Sequence, residues 1–259
     1  QRQMCIRDRV CRWIENAGQE GYRALFYNFC ILDHQRTAAM LGRGGVRYST
    51  FDMSEYDNET LSEAGVVSRE EAFARAAYFL ERVIPVAEAC KVQMACHLND
   101  PPAPVLRGVE RWNWPVQEGL KRFSEVVDSP YHGFNFCCGV AAEGLENPAD
   151  ELCDIVRYFG ERKKLFNIHY RNIRGGLYRF QEVWPDEGVM NMHRNMQALK
   201  EVGYQHMIVP DHAPGHPDSD QKQAWAFEFG YIIAMIQAVF DEGAWAKAAE
   251  TSGVAAADQ

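Results

Sequence analysis

Met207-Ile208-Val209-Pro210-Asp211-His212 is a short apolar run that closes on a carboxylate and an imidazole, and three earlier stretches close in the same manner. Val92-Gln93-Met94-Ala95-Cys96-His97 ends on an imidazole, Phe134-Asn135-Phe136-Cys137 on a thiol, and Leu165-Phe166-Asn167-Ile168-His169 on a second imidazole. Short apolar runs separated by helical patterns read as parallel strands buried on both faces. The closing residues His97, Cys137, His169 and Asp211 stand 40, 32 and 42 positions apart, one per strand. In a parallel α/β barrel the C-terminal strand ends share one rim, so these four side chains are expected to converge there.

The intervening segments carry the helical patterns. Ser68-Arg69-Glu70-Glu71 is a capping box, in which the Ser68 hydroxyl takes a free amide of the first turn and Glu71 reaches back. The helix it opens has Phe73, Ala76, Ala77, Leu80, Val83 and Ile84 on one stripe and runs to about Ala89. Further helices are predicted over residues 9–21, 115–127, from Asn147-Pro148 to about 159, over 189–202 and over 221–240. With the run Ala24 to Leu32 as the first strand, five strands alternate with helices, which implies parallel βα units. Five strands do not close an eight-stranded barrel, so either the sheet is open or three leading strands are missing.

The stretch from Asp33 to Ser68 has no sustained periodicity, and a loop of that length in a compact domain favours a cover over the site mouth. Gly42-Arg43-Gly44-Gly45 within it lacks the preceding strand and the spacing of a dinucleotide fingerprint. Residues 1–8 are expected to be a non-native leader, since the chain opens on Gln1 rather than Met. Residues 9–245 are then a single, partial barrel domain and 246–259 a flexible tail.

Composition narrows the function classes. The 259 residues carry 36 acidic and 27 basic side chains, a formal net charge of -9, with the bases scattered. That argues against a nucleic-acid or anionic-membrane partner. No apolar run reaches the roughly 18 residues that span a bilayer, and a secretory signal is not expected. The eight cysteines are unevenly spread, with Cys137 and Cys138 adjacent, which favours reduced thiols of a cytoplasmic protein over a disulfide framework.

Taken singly, a strand-end cysteine is more often a small buried hydrophobe than a ligand, and a strand-end aspartate is often a helix cap. All four in register favour a divalent transition ion, because a thiolate is foreign to the all-oxygen shells of Mg²⁺ and Ca²⁺. Mn²⁺, Fe²⁺ and Zn²⁺ all remain compatible. Cys138 competes with Cys137, since successive strand residues face opposite sides, and Cys96 points away from His97's side by the same rule. His193 and His206 read as structural or surface residues. His34, His132 and His216 fall in loops, and of these only His34 lies close enough to a strand end to be a weak site candidate.

Tyr27-Asn28-Phe29, Gly42-Arg43-Gly44-Gly45, Cys96-His97 with Asn99-Asp100-Pro101-Pro102, Gly133-Phe134-Asn135-Phe136-Cys137, His169-Tyr170-Arg171-Asn172-Ile173-Arg174-Gly175-Gly176 and Pro210-Asp211-His212 together resemble the mannonate dehydratase family, over about residues 8–239. The resemblance implies a TIM (β/α)8-type barrel of the xylose isomerase-like group, here incomplete, with about five of eight strands present. It implies conversion of D-mannonate to 2-dehydro-3-deoxy-D-gluconate and water with Mn²⁺ or Fe²⁺, a lyase step of hexuronate (glucuronate) catabolism. It also implies His97, Cys137, His169 and Asp211 as the metal ligands and His212 as a catalytic acid/base. The family uses a tyrosine after the Asp-His pair, and Tyr231 is the nearest one in this chain. Family chains carry more sequence before the first strand, which would supply the missing ones.

Loss of water from a 2,3-dihydroxy acid needs a proton taken from beside a carboxylate, a task that suits an imidazole, whose ordinary pKa lies near neutral. Arg171, Asn172 and Arg174, just past the His169 strand, are candidates to bind the substrate, the arginines as a carboxylate clamp or else as solvated surface groups. Two other readings stand beside the dehydratase: a sugar isomerase or epimerase on the same barrel, disfavoured by the thiol, and an inactive barrel fragment. In the last case open strand edges at Tyr27 and Val209 invite homo-oligomerisation.

Overall fold

The structure, a computed structural model, describes residues 2–216 and 221–240. The strands that organise it are β1 (Ala24–Asn28), β2 (Thr50–Asp52), β3 (Gln93–His97), β4 (His132–Cys137), β5 (Leu165–His169), β6 (Asn172–Gly176), β7 (Arg179–Val183) and β8 (Met207–Val209). The helices are α1 (Arg2–Gln19), α2 (Arg69–Cys90), α3 (Val116–Glu125), α4 (Cys138–Glu143), α5 (Pro148–Glu161), α6 (Met192–Glu201) and α7 (Lys222–Val239). Strands β1, β3, β4, β5 and β8 form one sheet in that order, every pair parallel. This is an open part of a βα barrel, and its five strands are the five that the sequence marks.

Alternation along each strand separates the two faces of the sheet. On β4, Phe134 points to the helices, packing on Phe123 of α3 and Phe159 of α5 with ring centroids 6.0 and 5.3 Å away. Asn135 and Cys137 take the opposite face. There Asn167 of β5 donates a buried hydrogen bond to Asn135 at 2.8 Å, one layer below the rim on which Cys137 pairs in register with His169. The inner face is therefore polar by design of the alternation, and the outer face holds the core.

Local signals account for the ends of the elements. Ser68 accepts from the Glu71 amide at 3.2 Å and Glu71 accepts from the Ser68 amide at 3.0 Å, so the capping box forms. Asn147 precedes α5 with Pro148 at its start, but its side chain makes no cap; its own amide instead donates to Glu151 at 2.8 Å. Helix α1 reaches back to Arg2, through residues expected to lie outside the fold. The expected tail, 246–259, lies outside the described residues.

Three features depart from expectation. The segment after Asp33 is partly ordered into strand: β2 joins β6 and β7 in an antiparallel sheet of order β6-β7-β2 beside the rim. Helix α4 follows β4 with no loop between them. His132, expected in a loop, opens β4 and is fully buried. Among the described residues the cysteines from Cys30 to Cys153 are free thiols, and no helix is long and apolar enough to cross a membrane.

Candidate metal centre

His97, Cys137 and His169 are the last residues of β3, β4 and β5, and Asp211 follows β8 by two positions. One donor atom from each lies within 4.8 Å of one donor atom from every other. Parallel topology is the cause: adjacent strands in register put their final inward side chains side by side. Cys138 does not share the site; it begins α4 and its thiol is buried in the core, where burial pushes it well above the ordinary range.

The local contacts prepare these atoms as donors. His97 holds its Nδ1 at 2.8 Å from the Leu98 carbonyl, which fixes the tautomer with Nδ1 as donor and leaves Nε2 free. Cys137 Sγ accepts from the Val140 amide at 3.4 Å and from Arg171 Nη2 at 3.7 Å. Burial pushes that thiol up, but the Arg171 guanidinium and hydrogen bonds with His169 and His97 outweigh it and bring it down to about 6. Desolvation works against charge on the half-buried Asp211, yet His169 and Arg171 hold it far below the usual carboxylate range. His169 Nδ1 is buried and makes no well-aligned hydrogen bond, although Asp211 Oδ1 lies 3.1 Å away.

Burial works against charge on His169, but the carboxylate and thiolate beside it overcome that and raise it to about 9. Beside the thiolate and the carboxylate, both imidazoles are thus drawn toward the protonated form. A divalent ion satisfies the same four atoms and releases those protons, so the donor set fits such a group.

Behind the four ligand candidates lies a charged layer. Arg171, only 3% exposed, donates from Nε to Asp211 Oδ2 at 3.1 Å and from Nη1 to Glu143 Oε1 at 2.9 Å. The same Nη1 is 3.3 Å from Glu182. Arg36 grips Asp100 with both terminal nitrogens at 2.6 and 2.8 Å and also hydrogen-bonds Glu182. The four carboxyl groups Asp100, Glu143, Glu182 and Asp211, with the Cys137 thiol, therefore face two fixed cations. Burial and the neighbouring Asp100 push Glu143 well above its ordinary range, which lessens the negative excess. A divalent ion at the rim would offset part of what remains.

His212 lines the open side. Its Nδ1 lies 2.9 Å from Glu182 Oε2 and its Nε2 3.3 Å from Asp211 Oδ2. A cavity of about 290 Å³ opens there between Asn28, Leu32, His34, His97, Asp100 and His212. That is close to the lower end of the ~300–1,000 Å³ common for small-molecule sites. A larger cavity of about 490 Å³, bounded by Met40, Asp52, Arg174 and Arg179, sits on the β2-β7-β6 ribbon away from the donor set.

The other residues singled out in the sequence are placed differently. Arg171 is saturated by protein acids and is not free to clamp a ligand. Asn172 is buried, its amide donating to the Pro185 and Met190 carbonyls and accepting from the Ile173 and Met190 amides, which locks a turn. Arg174 is exposed and stands 3.8 Å from Glu187 on the ribbon. Tyr231, on α7, packs against the core beside Phe227 and does not join the cluster at Asp211. Arg36, Asp100, Glu143 and Glu182 had not been singled out as site residues. Asp100 sits in the quoted Asn99-Asp100-Pro101-Pro102 stretch, and Glu143 is an acid ending an apolar run, which is the signal each offers.

Comparison with known proteins supplies an independent line. The D-mannonate dehydratase (UxuA) family profile matches residues 58–241. Mannonate dehydratase of Thermotoga petrophila is 34% identical over 165 residues, covering 62% of this chain and 44% of that protein. Its counterpart in Enterococcus faecalis is 31% identical over 205 residues, covering 75% of this chain and 55% of that one. The chain thus spans about half the length of the curated relatives it matches. The crystal structure of mannonate dehydratase from Streptococcus suis serotype 2 superposes with a TM-score of 0.80 at 23% identity, over 97% of this chain and 74% of that chain, a likeness of fold.

Proposed function

We propose, since this chain belongs to the D-mannonate dehydratase family, that it dehydrates D-mannonate to 2-dehydro-3-deoxy-D-gluconate with a bound Mn²⁺ or Fe²⁺. The observation that carries the reading is the meeting of His97, Cys137, His169 and Asp211 within one coordination sphere's reach. These four would hold the ion, which would supply Lewis acidity to the substrate.

The chain's own residues do the rest. Glu182, kept ionised by Arg36 and Arg171, lies 2.9 Å from His212 Nδ1 and so favours the ring proton on that side, which leaves Nε2 as the atom to take a proton. Nε2 sits 3.3 Å from Asp211 on the wall of the cavity, within reach of a sugar acid bound there, and the proton that dehydration needs removed is the one on carbon 2. Arg171 acts from behind, by fixing Asp211 and Glu143. Buried and saturated, it shapes the site without touching substrate. The β2-β7-β6 ribbon carries Glu182 to the far side of His212.

Incubation of the purified chain with Mn²⁺ or Fe²⁺ and D-mannonate tests this. Product is the 2-keto-3-deoxy acid, read by its keto group and by mass. A metal-loaded chain that returns mannonate unchanged, or that interconverts aldose and ketose instead, overturns the reading.

A further inference from the structure

A second imidazole stands on the same cavity wall. His34 Nε2 is 2.9 Å from Asp100 Oδ2, and its ring meets that of His212 edge-on with centroids 6.1 Å apart. The arrangement repeats the one at His212: an accessible imidazole backed by a carboxylate that is largely shielded from solvent, Asp100 at 11% and Glu182 at 4% exposed. Asp100 and Glu182 are held in turn by one guanidinium, Arg36. His34 and Arg36 lie outside the matched span 58–241, on the segment between β1 and β2.

We propose that His34 is the proton donor to the departing hydroxyl, with Asp100 as its positioning residue, on the dehydratase reading given above. Dehydration needs a base at one carbon and an acid at the oxygen of the next. With Nε2 held by Asp100, the donating atom of His34 is Nδ1. His212 Nε2 takes the proton from carbon 2, and the electron pair of that bond becomes the C2–C3 double bond. The C3–O bond breaks toward oxygen, and the His34 proton completes the leaving group as water. The resulting enol gives up its O–H proton to solvent and takes one at carbon 3, which gives the 2-keto acid. One imidazole has gained a proton and the other has lost one. Solvent resets both, because the side chains are 48% and 39% exposed. Two rings at 6.1 Å are too close to sandwich a sugar chain, but as neighbours on one wall they reach adjacent carbons of one substrate.

A leaving group that needs no proton separates this role from others. D-mannonate and 3-deoxy-3-fluoro-D-mannonate, whose fluoride departs unprotonated, are turned over by the metal-loaded chain and by His34→Asn, His34→Gln and His212→Asn. For both His34 variants kcat on D-mannonate is expected to fall by ~100-fold or more, the usual scale of one general acid, with KM within about threefold. On the fluoro acid they should stay within about threefold of the parent. His212→Asn should lose both substrates. Equal losses on the two substrates, or no loss on either, overturn the assignment of His34 while leaving the dehydratase reading intact. If the unaltered chain converts neither substrate, that reading falls and this one with it.

Discussion

Arg171 donates through Nε to Asp211 Oδ2 at 3.1 Å, and this single hydrogen bond turns the other carboxylate oxygen toward His169, 3.1 Å away. One buried guanidinium thereby sets the angle of a candidate ligand it does not replace. The same side chain anchors Glu143 at 2.9 Å and reaches Glu182, so the donor set and the acids behind it share a support.

Arg171→Met should therefore do two things. It strands several buried carboxyl groups without their cation, a loss on the order of 3–5 kcal/mol, and it frees Asp211 to rotate out of the donor set. Arg171→Lys restores a charge but not the fork that serves Asp211 and Glu143 at once, and should recover only part of the stability. Urea unfolding and metal titration of both variants give the check. An Arg171→Met chain that unfolds and binds metal like its parent would contradict the arrangement.

Cys137 and Cys138 are neighbours in sequence with opposite environments. With Co²⁺ as a probe, a sulfur-to-metal charge-transfer band is expected in the parent and in Cys138→Ser, but not in Cys137→Ser. Cys138→Ser should instead lose about 1–3 kcal/mol of stability, because its hydroxyl is buried in the core. A band that survives Cys137→Ser would move the thiolate elsewhere.

Gly139, in α4, lies against the back of Arg171: an added Cβ would fall 2.7 Å from its Cζ and 2.8 Å from its Nε. Arg171 is pinned by its acids and cannot step aside. Gly139→Ala is expected to weaken metal binding by tenfold or more, at a stability cost of ~1–3 kcal/mol from overpacking. Gly230, on α7, has nothing within 4 Å of its added Cβ. Gly230→Ala should keep metal affinity and gain up to about 1 kcal/mol from helix propensity. Isothermal titration of both variants reads the contrast, and equal affinities would refute it.

The four ligand candidates are legible in the sequence because each ends a strand, and parallel pairing aligns strand ends without help from distant residues. The layer behind them is not. Glu143 belongs to a helix of six residues, too short to show a period. Glu182 reaches the site on a hairpin turning at Leu177 and Tyr178, with Tyr178 at a φ of 70°, and so without the Asn-Gly or Asp-Gly that signals such a turn. Arg36 lies where no periodicity exists. For Arg171 the sequence suggests a ligand clamp, since a guanidinium after a strand end reads as accessible. Only the meeting of Glu143, Glu182 and Asp211 around it, a tertiary event, shows it to be satisfied from within.

His132 provides a pH test far from the donor set. Its Nε2 donates to the Phe123 carbonyl at 2.8 Å, and its ring lies 5.2 Å from that of Phe123. Burial holds its pKa down to about 4, against the partial support of that carbonyl and with Lys164 adding to the depression. The unfolded value is about 6.5, so the folded chain prefers the neutral ring. Its contribution is complete above about pH 6.5 and drains as pH falls toward 4, reaching about 2 kcal/mol lost at pH 5 and about 3 near pH 4. His132→Gln keeps a donor but cannot titrate. It should be the less stable chain at pH 7 by ~1–2 kcal/mol, and its urea midpoint should fall less steeply on acidification, so that the two stability curves approach one another near pH 5. Shifts from other groups are common to both chains and cancel in the difference. Curves that run parallel from pH 7 to pH 4 would mean that His132 accepts its proton without cost to the fold.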